Sequence, residues 1–362
     1  MTNIYTCPLT GSTDCVELYQ QNPVPVFQNK VFLTREAALD MTLAPVTLVQ
    51  SLASGFVFNG TFGSVDMNYD SDYQNEQGNS EYFQQHLKSV IDLLDNKELL
   101  TGKIIEIGCG KGYFLTILKQ RNKNVTGFDP AYEGTDKAII KDYYSSKYSN
   151  LKADLIVLRH TLEHIPKPLE FIQQIATANQ RRGKIYIEVP TFDWISEHQA
   201  VEDIFYEHCN YFTMDTLKLI FHKSFCEHVF NGQYLALIAD LKDVKEEIDR
   251  NKFLPMKINF RSKINEYSQL VSTERNLAIW GGGAKGSTFV NLVDKNREKI
   301  KCVIDINKKK QHCYVGGTGH LIVPPSEIKS LDVKTILVMN SNYLSEIKNI
   351  INGLSVNIIS IN

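Results

Sequence analysis

Residues 103–112, KIIEIGCGKG, constrain this chain more than any other stretch. An apolar run ends in one acid, Glu106, and then passes through Gly108, Gly110 and Gly112 into an amphipathic segment. That pattern predicts a buried strand feeding a helix through a turn without β-carbons at three alternating places, so a flat, charged small molecule can lie against the backbone. The acid at the strand end repels a phosphate and suits a ligand with a cationic part. The glycine spacing also departs from the dinucleotide pattern G-x-G-x-x-G. S-adenosylmethionine, with its ammonium and sulfonium charges, fits such a turn. Glu106, Gly108, Cys109 and Gly110 are the residues expected against it.

From Lys103 onward strands and helices alternate. Strands are predicted at 103–108, 124–129, 138–140, 153–159 and 184–189, with helices near 112–121 and 167–178, an order that implies a parallel sheet covered on both faces. The run FCEHVF, Asn231-Gly232, QYLALIAD reads as a hairpin, because Asn-Gly between two apolar runs supplies the left-handed turn a hairpin needs. The fold class is therefore α/β: a Rossmann-like class I methyltransferase sheet of parallel strands closed by an antiparallel hairpin. Before it, residues 1–80 read as an irregular accessory lobe, followed by a helix carrying Phe83, Leu87, Val90, Ile91 and Leu94 at helical steps. The donor-binding domain is expected over 81–241 and a charged helical connector over 242–270. Over 271–362 a smaller Rossmann-like domain begins with the strand NLAIWG and a second glycine turn. No repeat of solenoid period interrupts this layout.

The length of 362 residues allows two or three domains with real cores. A formal net charge of -2 without a basic stripe gives no footprint for nucleic acid. The apolar runs are far shorter than a membrane span, and no secretory leader is visible. Seven scattered cysteines read as reduced thiols. A cytoplasmic protein with a small-molecule partner is expected, and both monomer and homodimer stay open.

Asp129 ends the second strand, twenty-one residues after Gly108. An acid there is placed to accept both ribose hydroxyls, with Pro130 beside it; the alternative is a turn aspartate. Asp142, after the third strand, is a candidate for the adenine amino group or a plain surface acid. The fourth strand ends in LRHTLEH, which brings Arg159 and His160 to the ligand edge. His164 lies one helical turn from His160, but no third ligand stands out, and no metal is expected. After the fifth strand and Pro190 comes FDWISEHQAVEDIFYEHCNYF, dense in groups that move protons. A methyl acceptor must lose a proton as it attacks, and imidazole titrates in the right range. His208 beside Glu207 is the candidate base; His198 beside Glu197 competes, and both also read as ordinary loop histidines.

With EIGCGKGYFL, HTLEHIPKP, EVP, YEHCNYF and GGGAKGSTFVN…VIDIN…GTG…VPP, the chain resembles the three-domain, S-adenosylmethionine-dependent C-methyltransferases of nucleotide-linked keto-deoxysugars. The resemblance runs from about Tyr69 to the C-terminus. It implies that His208 is the base with Glu207 orienting it. It further implies that Tyr69, Tyr73 and Asn75 reach over the active site, and that Lys285 and Asn291 serve the acceptor. The family's loop reads Tyr-His-Glu-His; Phe205 replaces its first tyrosine, leaving Tyr206 as a substitute phenol from a shifted position. Relatives often carry two Cys-x-x-Cys pairs in the N-terminal lobe. Cys7 and Cys15 alone cannot supply four ligands, so no structural zinc is expected.

Gly281, Gly283 and Gly286 do match G-x-G-x-x-G, with Asp305 nineteen residues past Gly286. On spacing this is a dinucleotide fingerprint, and a nicotinamide-dependent or nucleotide-binding non-methyltransferase is the rival of another class. Lys285 in the turn and the short domain favour support of an acceptor phosphate or carboxylate instead. An O- or N-methyltransferase with the same donor site is the nearer rival, since it needs no enolate stabiliser.

Overall fold

The computed structural model describes residues 4–65 and 78–361. Tyr69, Tyr73 and Asn75 lie outside the described residues. The N-terminal segment contains β1 (Cys15–Pro25), β2 (Val31–Phe32), α1 (Arg35–Leu39), β3 (Leu43–Ser51) and β4 (Val57–Asn59). β1, β3 and β4 pair antiparallel, so this lobe is a sheet and not the irregular segment the sequence suggested. Its alternation is broken by register shifts between Glu17 and Tyr19 and between Gln21 and Val24, next to Pro23. Bulges and proline hide a strand's period of two without abolishing the pairing.

α2 (Glu81–Asn96) opens with Ser80, whose side chain accepts from the Phe83 amide at 3.3 Å. Such a cap contributes about 1 kcal/mol. Phe83, Leu87, Val90, Ile91 and Leu94 are all buried, each worth roughly 1.5–3 kcal/mol of apolar transfer. The central sheet then builds from β5 (Ile104–Ile107), α3 (Tyr113–Arg121), β6 (Val125–Phe128), β7 (Ile139–Ile140), β8 (Leu155–Arg159), α4 (Pro168–Ala178) and β9 (Lys184–Pro190). After α5 (Phe192–His198), β10 (Asn210–Tyr211) and α6 (Met214–Lys218) come β11 (Phe225–Val229) and β12 (Tyr234–Asp240). The order is β11-β12-β9-β8-β5-β6-β7, parallel except for the β11–β12 hairpin, which pairs antiparallel with β9. Phe230, Asn231 and Gly232 all take positive φ in the hairpin turn. This is the sheet expected from the sequence, with each strand within two residues of its predicted span.

The connector departs from expectation. Only α7 (Phe260–Thr273) is a regular helix; residues 244–259 run irregularly and lie along the N-terminal lobe, Asn251 and Phe253 donating to the Ala53 and Leu52 carbonyls. Pro255 removes a helical hydrogen bond and clashes with the preceding turn, costing a helix here about 3 kcal/mol.

The C-terminal unit holds β13 (Leu277–Trp280), α8 (Ala284–Val293), β14 (Ile300–Ile304), β15 (Tyr314–Val315), β16 (Ile322–Val323), β17 (Thr335–Val338), α9 (Leu344–Ile350) and β18 (Asn357–Ser360). Its five-stranded sheet, β16-β14-β13-β17-β18, is entirely parallel. In both parallel sheets the order reverses beside the strand that precedes the glycine turn, which puts the open crevice at that turn. The lobes interlock: β10 pairs with β4, β2 pairs with β15, and one apolar cluster runs from Val46 and Leu48 through Phe192, Val201 and Tyr206 to Phe289 and Leu337. That cluster encloses the segment after β9 between the N-terminal sheet and the C-terminal unit.

Candidate active site

The two glycine turns share one cavity of about 430 Å³. Glu106, Gly108, Cys109 and Gly110 line it from β5 and the turn after it; Trp280, Gly281, Gly283 and Lys285 line it from β13, its turn and α8. Phe205, Glu207 and His208 line it from the segment between them.

Gly108, Gly110 and Gly112 have φ of 74°, 53° and 80°, which makes the bare turn a backbone requirement. A β-carbon on Gly108 would strike Thr161, whereas one on Gly110 would meet open space. Glu106 is buried, and its Oε2 has no hydrogen-bond partner among the described residues. Burial pushes its carboxyl up to about 8; Arg159 opposes the rise and Asp129 adds to it. An unsatisfied buried carboxylate oxygen at the cavity wall is what an ammonium group would complete, so the residues present fit S-adenosylmethionine.

Asp129 and Pro130 directly follow β6 but do not line the cavity. The Asp129 Oδ2 accepts from the Gly110 amide at 2.7 Å and its Oδ1 from Ala131 at 2.9 Å, so its first task is to hold the turn. The second sheet repeats the device: Asp305 Oδ2 accepts from the Gly282 amide at 2.8 Å. Asp142 is a correction. It is occupied by Lys147 at 2.8 Å, the Tyr148 hydroxyl at 2.6 Å and its neighbour's amide, which pull its carboxyl down to about 2, and it does not line the cavity.

Arg159 and His160 do reach the cavity. The Arg159 guanidinium donates to Glu188 Oε1 at 2.7 Å and stacks over Phe114, 4.6 Å from the ring centroid. His160 adopts φ of 49°, rare for a side chain of its size, with Nε2 3.1 Å from Glu188 Oε1 and Nδ1 3.6 Å from Glu163 Oε1.

His208 is buried, packed edge-on against Phe205 at 4.4 Å and His164 at 4.9 Å between ring centroids. Burial, with His164 and His160 nearby, holds it well below the ordinary imidazole range, so the ring is neutral and offers a lone pair. Glu207 lines the cavity beside it, and its Oε2 accepts from the Gln28 amide at 2.9 Å. His198 is elsewhere, stacked on Trp194 at 3.6 Å with Nδ1 donating to the Trp194 carbonyl. Tyr206 is a second correction. It is fully buried, and its hydroxyl meets Ser64 Oγ and the Val65 amide at 3.1 Å each, outside the cavity lining. The phenol missing at Phe205 is therefore not supplied from position 206.

Lys285 lines the cavity, but its Nζ is 2.7 Å from Asp203 Oδ2, so any acceptor anion meets a lysine already paired. Asn291 is a third correction. It is buried inside α8, where it donates to the Ser287 and Gly316 carbonyls at 2.8 and 3.0 Å, and it does not line the cavity. Its periodicity as a core position in STFVNLV was the readable sign.

Sequence reasoning overlooked Lys310, Asn29 and Glu163. Lys310 belongs to what reads as a solvated lysine run, yet it is buried at the cavity wall with Nζ 3.1 Å from the Gly282 carbonyl and 3.3 Å from Asn29 Oδ1. Burial lowers its pKa. Asn29 comes from the N-terminal lobe and carried no pattern. Glu163 lies inside the HTLEH run; with His164 and His208 it presents one ligand-type atom each, all within 4.8 Å of one another. The third ligand that His160 and His164 lacked in the sequence thus exists for a different pairing.

Residues 79–226 match the family described as Methyltransferase domain, and residues 273–361 match the family described as C2185-like, N-terminal. The C-methyltransferase NovU of Streptomyces niveus is 20% identical over 306 residues, 73% of this chain and 72% of that protein. The ubiquinone biosynthesis O-methyltransferase of Colwellia psychrerythraea is 26% identical over 121 residues, 29% of this chain and 49% of that protein. Among solved structures, an S-adenosylmethionine-dependent methyltransferase from Archaeoglobus fulgidus overlaps with a TM-score of 0.33 at 16% identity, covering 44% of this chain and 99% of that one. No helix among the described residues is long and apolar enough to cross a membrane. The central sheet of this chain has a class I methyltransferase fold, and residues 79–226 carry a methyltransferase domain.

Proposed function

We propose that the chain methylates a small, anionic acceptor of the nucleotide-linked sugar class, and that His208 removes the acceptor's proton. The observation that carries this is that His208 lines the same cavity as the donor turn at Glu106–Gly110 and as Lys285 and Lys310. When bound, S-adenosylmethionine supplies an electrophilic methyl group on a positively charged sulfur. Glu106 holds its cationic end, and Asp129 keeps the turn in shape through Gly110. The acceptor loses its proton to the free lone pair of His208 and then forms its new bond to the methyl carbon. Holding both reactants in one cavity converts a bimolecular encounter into a local one, worth up to about 7–11 kcal/mol of barrier. The similarity to a C-methyltransferase over most of the chain supports carbon as the methylated atom.

A second reading, transfer to oxygen or nitrogen, is favoured by one specific observation. Phe205 faces the cavity where the family phenol would stand, and the Tyr206 hydroxyl is committed to Ser64 and Val65. An enolate would then lack that donor.

The test uses a panel of nucleotide-linked keto sugars with labelled donor in heavy water. Exchange of a carbon-bound hydrogen of the acceptor, lost in His208→Ala along with roughly 10²–10⁴ of turnover, supports carbon chemistry with this base. Methyl transfer without exchange selects the second reading, and undiminished turnover in His208→Ala removes the base assignment.

A further inference from the structure

We propose that Glu163, His164 and His208 form a binding site for a divalent transition-metal ion of the zinc or cobalt class, and that its occupancy takes His208 out of the reaction. The second half rests on the reading of His208 as base; the first does not.

Three observations converge. All three residues line the cavity, and their ligand-type atoms lie within 4.8 Å of one another. His164 donates from Nδ1 to the Glu207 carbonyl at 3.0 Å, which leaves the lone pair on Nε2 and fixes the ring, as outer hydrogen bonds do for metal-binding histidines. Glu163 is 2% exposed, and its Oε2 is buried without any hydrogen-bond partner among the described residues. Its other oxygen is 3.6 Å from His160 Nδ1. A buried carboxylate oxygen without a donor is costly to leave bare, and a cation beside it would offset that cost.

Two imidazoles and one carboxylate select borderline ions over calcium or magnesium, which prefer oxygen alone. Zinc bonds near 2.1 Å would draw the three side chains together by about 1 Å, within the reach of small rotamer adjustments. Three protein ligands leave a fourth position, and here it opens on the cavity. The His208 lone pair that takes a proton is the same one that binds a metal, so the two uses exclude each other.

The experiment titrates cobalt(II) into the purified full chain and reads the visible d–d absorption, then repeats the titration with His164→Ala and Glu163→Gln. A tetrahedral band saturating at one equivalent, and weakened at least about tenfold in both variants, is expected. No band, or a band indifferent to both substitutions, overturns the site while leaving the methyltransferase reading intact. Cobalt(II) is then added during turnover, each protein compared with its own metal-free rate. A loss of roughly a hundredfold at full occupancy, reversed by a chelator and blunted in His164→Ala, is expected. Full-rate turnover by protein whose d–d band shows the site filled overturns the exclusion, and with it His208 as base.

Discussion

Arg159, the last residue of β8, pairs with Glu188 of the neighbouring strand β9, guanidinium Nη2 2.7 Å from carboxylate Oε1, and this pair is what brings a fixed cation to the cavity wall. Glu188 is wholly buried and also accepts from the Tyr186 hydroxyl at 2.7 Å, with His86 Nε2 at 3.1 Å. Burial raises its carboxyl, but Arg159 and the two histidines overcome that and hold it well below the ordinary carboxylate range.

Glu188→Ala leaves Arg159 buried without its partner, and a loss of about 3–5 kcal/mol in denaturant unfolding is expected. The sign with pH follows from the depressed pKa. The Glu188 contribution is present above the unfolded carboxylate value near 4.5 and is lost as pH falls through the folded value. The wild-type protein should therefore lose stability on acidification more steeply than Glu188→Gln. Parallel acid profiles for the two would remove Glu188 from the account.

Glu106 behaves in the opposite way. With its carboxyl raised to about 8, it holds a proton in the empty protein at pH 7, and a cationic donor favours the ionised form. Donor binding should release a proton at pH 7, and affinity should rise with pH before levelling off above about 8. Calorimetry with S-adenosylhomocysteine in two buffers of different ionisation enthalpy measures the proton directly. Glu106→Gln should abolish the release and weaken binding by roughly tenfold or more, since a hydrogen bond to a charged group contributes about 1.5–3 kcal/mol.

The donor half of the site was legible because its physics is local. Residues 103–112 carry a strand, a turn and a helix start in ten positions, and the Gly108-to-Asp129 spacing is dictated by one helix and one returning strand. The acceptor half was not legible, because it is assembled across lobes. Lys310, Asn29 and Asp203 meet around one cavity only after the parallel sheet of the C-terminal unit docks on the N-terminal sheet, and no periodicity records that docking. Asp142 and Asn291 misled for a different reason: their neighbours Lys147, Tyr148, Ser287 and Gly316 satisfy them, and a lone polar residue in sequence does not show its partner. Tyr206 was misjudged by one position, which in a tightly packed turn is the difference between facing ligand and facing Ser64.

Asp129→Ala frees the Gly110 amide and loosens the turn without opening a core cavity, since Asp129 is half-buried. Donor affinity should fall roughly tenfold, the worth of about one charge-assisted hydrogen bond, while the thermal midpoint moves by only a few degrees. Asp129→Asn, which can still accept from Gly110, should recover most of the affinity if the turn geometry is what matters. Failure of Asn to recover it would shift the weight to a direct contact between the carboxylate and the donor.

Lys285 gives the sharpest test of the acceptor side, because Asp203 already neutralises it at 2.7 Å. Gly283, Ala284 and Lys285, at the N-terminus of α8, line the cavity, an arrangement that suits an anionic group. A nucleoside diphosphate bound there, as proposed, would compete with Asp203 for the same cation. Lys285→Ala should weaken its binding roughly tenfold, about 1.4 kcal/mol, whereas Asp203→Asn should tighten it by removing the competing charge. The opposite signs separate recognition from structure: if the Lys285–Asp203 pair only braces the fold, both substitutions lower the unfolding midpoint and neither changes the dissociation constant measured by calorimetry.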